Sequence, residues 1–123
     1  MRAAEAGQAA AVAALLKLPS TDVNAAEPSR EDTPLLLGAR FGHEEVVRLL
    51  LAHEAVESTR TNRGGAGTLY IASQEGHEAV VRLLLAHAAV DANQAMRNGA
   101  TPLYAAVAAR STAAALALLE GKA

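Results

Sequence analysis

The sequence predicts an all-α solenoid of four stacked helix pairs, the outer two incomplete, joined by hairpin-like loops. Three observations carry this. A block occurs twice, GHEEVVRLLLAHEAV from Gly42 to Val56 and GHEAVVRLLLAHAAV from Gly76 to Val90, with thirteen of fifteen positions identical at an offset of 34 residues. Thr33-Pro34-Leu35 stands nine residues before Gly42, and Thr101-Pro102-Leu103 stands nine before Arg110, the glycine position of a last, partial copy. Toward the N-terminus, Gly7-Gln8, Val12 and Leu15-Leu16 reproduce Gly42-His43, Val47 and Leu50-Leu51 at an offset of 35. A fixed period of this size means a repeated supersecondary unit rather than one irregular core. The units fall at about 1–29, 30–63, 64–97 and 98–123 of a single domain.

Each element has a local cause. Thr33 and Thr101 are suited to cap a helix, their hydroxyls accepting a bond from a free first-turn amide, and Pro34 and Pro102 fall at the first helical position, where a missing N–H costs nothing. The first helix of a pair therefore begins at Pro34 and Pro102. Gly42 and Gly76 suit the left-handed conformation that ends such a helix. Val46, Val47, Leu49, Leu50 and Leu51 then form one broad apolar face of the second helix. A single helix pair has nothing to cover that face, so neighbouring units must. The expected helices are 2–6 and 9–16, 34–41 and 44–53, 69–75 and 78–87, and 102–109 and 112–120, with negligible strand.

Thr33-Pro34-Leu35 with Gly38, the Gly42-His43 and Gly76-His77 turns, Val46-Val47 with Leu49 through Leu51, Ala72 with Val80 through Leu85, and the Asp22-Val23-Asn24 hairpin together resemble ankyrin repeats. The resemblance covers nearly the whole chain and implies an ankyrin-repeat solenoid. It says little of a partner, because a fold does not fix a function. Against the usual 33-residue period each loop here is one or two residues longer, which predicts bulging finger tips.

Composition agrees. Half of the 123 residues are hydrophobic, carried by Ala, Leu and Val rather than aromatics, as thin layers of close-packed helices require. The chain has no cysteine, which excludes disulfides, thiolate zinc sites and a cysteine nucleophile, and fits an intracellular location, cytoplasmic or nuclear. A formal charge of −2 excludes a strongly basic nucleic-acid binder. Five basic and nine acidic residues lie up to Thr59 and six and four beyond it, a mild asymmetry from −4 to +2. No apolar run approaches the length of a membrane span. Met1-Arg2 and the Ala-rich stretch 9–16 have the outline of a targeting peptide, but Glu5 and Gln8 interrupt it and Gly7, Val12, Leu15 and Leu16 hold repeat register.

Catalytic patterns are scarce. His43-Glu44 and His77-Glu78 begin like a zinc-binding HExxH, yet Val47 and Val81 stand where the second histidine belongs. Gly64-Gly65-Ala66-Gly67 lacks the Lys-Ser/Thr ending of a phosphate loop and reads as a loose finger. No cofactor, metal or small molecule is expected, and the chain is not expected to be an enzyme. The resemblance gives His43 and His77 a structural role, bonding their rings to loop backbone between units.

Function then rests on surface positions. In ankyrin arrays the third residue of the first helix, with those four and five later, faces the concave side. The resemblance thus selects Leu36, Arg40 and Phe41, then Tyr70, Gln74 and Glu75, then Tyr104, Ala108 and Ala109, as contacts for an unidentified partner protein. The hairpin tips add Arg60, Asn62, Arg63, Met96, Arg97 and Asn98. For Tyr70 and Tyr104 the resemblance also offers a structural alternative, half-buried and bonded to the cap. Leu16, Asp22, Val23 and Asn24 match the spacing of ankyrin repeats modified by asparaginyl hydroxylases, so Asn24 is a candidate modification site, beside its plainer role of closing a hairpin.

Three departures stand out. Gly67 and Thr68 replace the capping Thr-Pro pair, leaving open whether the third unit's first helix starts at its usual place or one residue later. Arg110-Ser111 replaces Gly-His, which predicts a strained or differently shaped last turn. The final helix, 112–120, is rich in Ala and exposes apolar surface unless something covers it. A monomer is expected unless that helix self-associates, and a chain cut from a longer array is the other reading.

Overall fold

The computed structural model describes residues 31–53, 61–87, 90 and 92–121. Among the described residues there are six helices and no strand: α1 Pro34–Phe41, α2 Glu44–Ala52, α3 Thr68–Gln74, α4 Glu78–Leu85, α5 Pro102–Ala108 and α6 Thr112–Gly121. The expected helices at 2–6 and 9–16, the finger residue Arg60 and the candidate modification site Asn24 lie outside the described residues.

The chain makes three antiparallel-type pairs, α1 with α2, α3 with α4 and α5 with α6. Pairs stack by like on like: α1, α3 and α5 pack in sequence as one layer, and α2, α4 and α6 as the other. The core lies between the layers and between the pairs. It is built from equivalent positions, Leu35 and Leu69, Val47 and Val81, Leu50, Leu84 and Leu118, all buried. Burying each Leu or Val contributes roughly 1.5–3 kcal/mol, and no single pair could do so alone.

The helix starts follow their caps. Thr33 Oγ1 accepts from Leu36 N at 3.3 Å and Thr101 Oγ1 from Tyr104 N at 3.2 Å, with Pro34 and Pro102 as the first helical residues. In the third unit α3 starts at Thr68 behind Gly67, which has no capping side chain, so Thr68 is a helical residue and not a shifted cap. The buried Ser73 hydroxyl in this helix is satisfied by the Leu69 carbonyl at 2.7 Å.

The turns repeat to the atom. His43, His77 and Ser111 N–H donate to the carbonyls of Gly38, Ala72 and Ala106 at 2.9, 3.0 and 2.9 Å, three copies of one closing bond. Each requires a left-handed residue just before the donor, with φ of 71° at Gly42, 75° at Gly76 and 59° at Arg110. At Arg110 the side chain costs about 1–2 kcal/mol in that region. The left-handed backbone is the physical content of the strain expected there.

The finger before α3 differs from expectation. Gly64 and Gly65 do not leave it loose, because Asn62 closes it: its side-chain Oδ1 accepts from Gly64 N and Ala66 N, both at 3.1 Å, and its backbone N–H donates to the Ala66 carbonyl at 3.0 Å. The next finger repeats the ladder, Met96 N–H to the Ala100 carbonyl at 2.8 Å, with Asn98 Oδ1 accepting from Ala100 N at 3.0 Å.

The turns give a direct test. Gly42→Ala should lower stability by about 2 kcal/mol, from the left-handed penalty and from a Cβ that would approach the His77 ring too closely. Arg110→Gly should raise it by about 0.5–1 kcal/mol, the strain relieved exceeding the added unfolded-state entropy. Urea denaturation of both variants decides; shifts of the opposite sign would mean the turns are not what limits the stack.

Candidate partner-binding surface

The candidate surface is formed by the exposed side of α1, α3 and α5 and by the two described fingers. Its centre is organised by Arg40. The Asp32 carboxylate, 2% exposed, accepts from Arg40 Nη2 at 3.2 and 3.3 Å and from Asn62 Nδ2 at 3.1 Å. One acid therefore ties the start of α1, its last turn and the next finger together. The backbone of Arg40 serves as well: His77 Nε2 donates to its carbonyl at 3.0 Å, so that ring nitrogen carries a proton. A Cβ on Gly42 would lie 2.7 Å from His77 Nδ1, so the glycine also makes room for the ring.

Between α1, α3 and the two fingers lies an open cleft of about 450 Å³. Ile71, Tyr70 and Met96 supply its apolar lining, and Arg40, Arg63 and Gln74 its polar edge. Phe41 follows Arg40, 59% exposed, its ring centroid 6.2 Å from that of His43. Tyr104 on α5 is 63% exposed, while Tyr70 is half-buried. Gln74, Glu75, Ala108, Ala109 and the finger residues Arg63, Arg97 and Asn98 are exposed.

Two expectations need correction. Leu36 is 0% exposed and cannot contact a partner. The third helical position is lined by its neighbours, and among the described residues a later helix pair lies beyond α1 and none lies beyond α5, so Leu36 is enclosed where Tyr104 stands free. Arg40 does not project freely: its guanidinium is committed to Asp32, which leaves it at the edge of the cleft as a positioning group. Asp32 itself is missed by sequence reasoning, although an acid directly before the capping Thr33 and eight residues before Arg40 is a usable signal. Val107, exposed on α5, is also missed.

In the opposite layer the exposed arginines of α2 and α4 are paired with glutamates, whereas α6 leaves Leu116 and Leu119 exposed. Arg48 bonds Glu45 and Glu44, the latter at 3.0 Å. Arg82 bonds Glu78 at 3.0 Å and Glu120 at 3.1 Å, linking α4 to α6, and these hydrogen bonds, Glu78 first, raise its pKa above the ordinary guanidinium value. Among the described residues no group of three or more His, Cys, Asp or Glu is placed to hold a metal ion, and no helix is long and apolar enough to cross a membrane.

The sequence that builds these repeated turns and fingers matches a family model. The model for ankyrin repeats, in three copies, covers residues 1–94 and 56–123. The chain belongs to the ankyrin-repeat family. Ankyrin repeats are generally protein–protein interaction modules and are typically non-enzymatic. No curated protein matches the chain significantly.

Removing the buried acid tests the ankyrin array's central network. Asp32→Ala should cost about 1–3 kcal/mol, less than a fully buried pair because Arg40 keeps some contact with water. A double-mutant cycle with Arg40→Ala, followed by urea denaturation, should return a coupling above about 0.5 kcal/mol; additive losses would show that the pair does not act as a unit.

Proposed function

We propose that this ankyrin array binds a segment of a partner protein along the α1–α3–α5 face, with the finger cleft as its centre. The observation that carries the reading is the concentration of exposed aromatic and cationic side chains there: Phe41 and Tyr104 from the helices, Arg63 and Arg97 from the fingers. Aromatic and Arg residues supply most binding hot spots, because they bring a large apolar body together with a polar or charged tip. The α2–α4 face has no comparable set, since its exposed arginines are already paired with glutamates of the same chain. The role is recognition, with no reaction carried out by the groove.

Phe41 is the most discriminating position. It lies at the end of α1, outside the core, so Phe41→Ala should weaken a partner recovered by affinity capture by more than about 1 kcal/mol while leaving fold stability nearly unchanged. Arg48→Ala on the opposite face should leave binding within about 0.5 kcal/mol, the range of an exposed ion pair. Calorimetric titration and thermal melting of both variants check this. Binding lost with Arg48→Ala but kept with Phe41→Ala would move the interface to the other layer.

A further inference from the structure

We infer that the outer side of the last helix pair docks one helix of a partner protein, an apolar side chain of that helix entering the cleft beside Val107 and Leu116 and an acidic one pairing with Arg110. This surface is separate from the finger cleft and does not depend on the groove binding anything. Its first support is what the stack does with the same positions elsewhere. Ala39 in α1 and Ser73 in α3 are 0% exposed, each in a pair on which the next pair packs, while Val107, their equivalent in α5, is 63% exposed. Leu51 and Leu85 are half-buried, while Leu119, their equivalent, is exposed. In each earlier pair the cover over the first helix is another helix, α3 on α1 and α5 on α3, so a helix is the element that fits α5. A stack remains soluble when its end units turn a polar side outward, and this one turns Val107, Leu116 and Leu119. Between α5 and α6 a cleft of about 230 Å³ opens on this side, rimmed by Val107, Leu116 and the half-buried Ala115. It exceeds the cavity of about 150 Å³ that takes up a benzene ring, so one large side chain has room there.

The second support is charge. From Pro102 to Gly121 the chain has two charged residues, Arg110 and Glu120. Glu120 is bonded to Arg82 at 3.1 Å. Arg110 is exposed, lines the cleft and, among the described residues, has no ion pair. An unpaired guanidinium at the edge of an apolar cleft is complementary to a helix that carries a carboxylate, and planar bidentate geometry gives that bond direction. A second copy of this chain is a poorer match, because the described residues of its own end face would bring another Arg110 and no unpaired acid. A further repeat with a Gly-His turn is a poorer match as well. Gly42 leaves room for the His77 ring, since a Cβ there would lie 2.7 Å from Nδ1, and Arg110, at the same place in the last turn, carries that Cβ. With a φ of 59°, Arg110 occupies a backbone position that glycine would hold without strain. The side chain that obstructs another histidine-bearing unit is therefore the one that offers a cation to a different helix.

The test pans a phage library of a rigid helical scaffold, randomised along one helix face, on the whole chain and measures an enriched clone by calorimetric titration. The expected clones place Asp or Glu one helical turn from a large apolar residue. Affinity should fall at least about tenfold for Arg110→Gly, the loss of one charge-assisted bond, in a variant expected to be more stable than the parent, so unfolding cannot account for the fall. Arg110→Gln, which keeps a side chain on the left-handed turn and removes the charge, should lose as much; affinity lost with Arg110→Gly but kept with Arg110→Gln would show that charge is not read and overturn the inference. Leu116→Gln, exposed and outside the core, should weaken binding about fivefold, and Phe41→Ala should leave it unchanged. Clones that lose affinity with Phe41→Ala and keep it with Arg110→Gly occupy the groove, which would support the proposed function and refute the end site. No enrichment above the bare scaffold, or clones without acids, would refute it too. A dimer in analytical ultracentrifugation that Leu116→Gln abolishes would assign the face to a second copy and overturn the inference.

Discussion

The last turn of a helix leaves carbonyls with no partner in the helix itself, and in α1 one of these is the carbonyl of Arg40. His77, which begins the next unit's second helix, fills that vacancy with its ring N–H at 3.0 Å. For the ring to arrive, the residue after Phe41 must have no side chain and must turn left, and Gly42 does both. This joint fixes how one pair sits on the next. Packing of the Leu and Val faces supplies the bulk of the free energy, but apolar contact is non-directional, and the imidazole bond gives it a registration.

The same residue links the fold to the surface. Arg40 offers its carbonyl to the stack and its guanidinium to Asp32, and Asp32 in turn receives the amide of Asn62. Asn62 closes the finger that walls the cleft. The cleft is therefore assembled by the bonds that join the units rather than by independent loops. In the final turn the joint is reduced: Ser111 takes the histidine position, bonding only Ala114 of its own helix at 3.4 Å, and Arg110 bears the left-handed backbone. Shape is conserved there by the backbone bond from Ser111 to Ala106, at 2.9 Å, while the side-chain bond is lost.

How much of this was legible follows from the range of each interaction. Pro34 and Pro102 mark helix starts because their effect is local, and the helices begin there. Gly42 and Gly76 end theirs for an equally local reason. A sequence repeat treats Leu36, Tyr70 and Tyr104 as equivalent, but exposure at one register position depends on which neighbours lie over it, so Leu36 is buried where Tyr104 is exposed. Register selects Arg40 as a groove contact, but its partner is set by the tertiary burial of Asp32, which no register position contains. The glycines at 64 and 65 suggest looseness, since glycine raises the entropy of an open chain; Asn62 removes that freedom with four bonds no composition argument contains. Periodicity thus identified the architecture well and the surface less well.

A closed finger has a consequence for recognition. Ordering a loop on binding typically costs about 0.5–1.5 kcal/mol for each side chain immobilised, and affinity is what remains afterwards. Here Asn62 holds the backbone beneath Arg63, and Gly65 receives the stem of Arg97, before any partner arrives. Much of the ordering is already complete in folding. The groove residues themselves are divided accordingly: Arg40 and Asn62 support the stack and cannot vary without loosening it, whereas Phe41, Arg63 and Arg97 are exposed and contribute little to the core. An array built this way can exchange its contact residues while keeping its joints, which is how one repeat architecture comes to serve many partners.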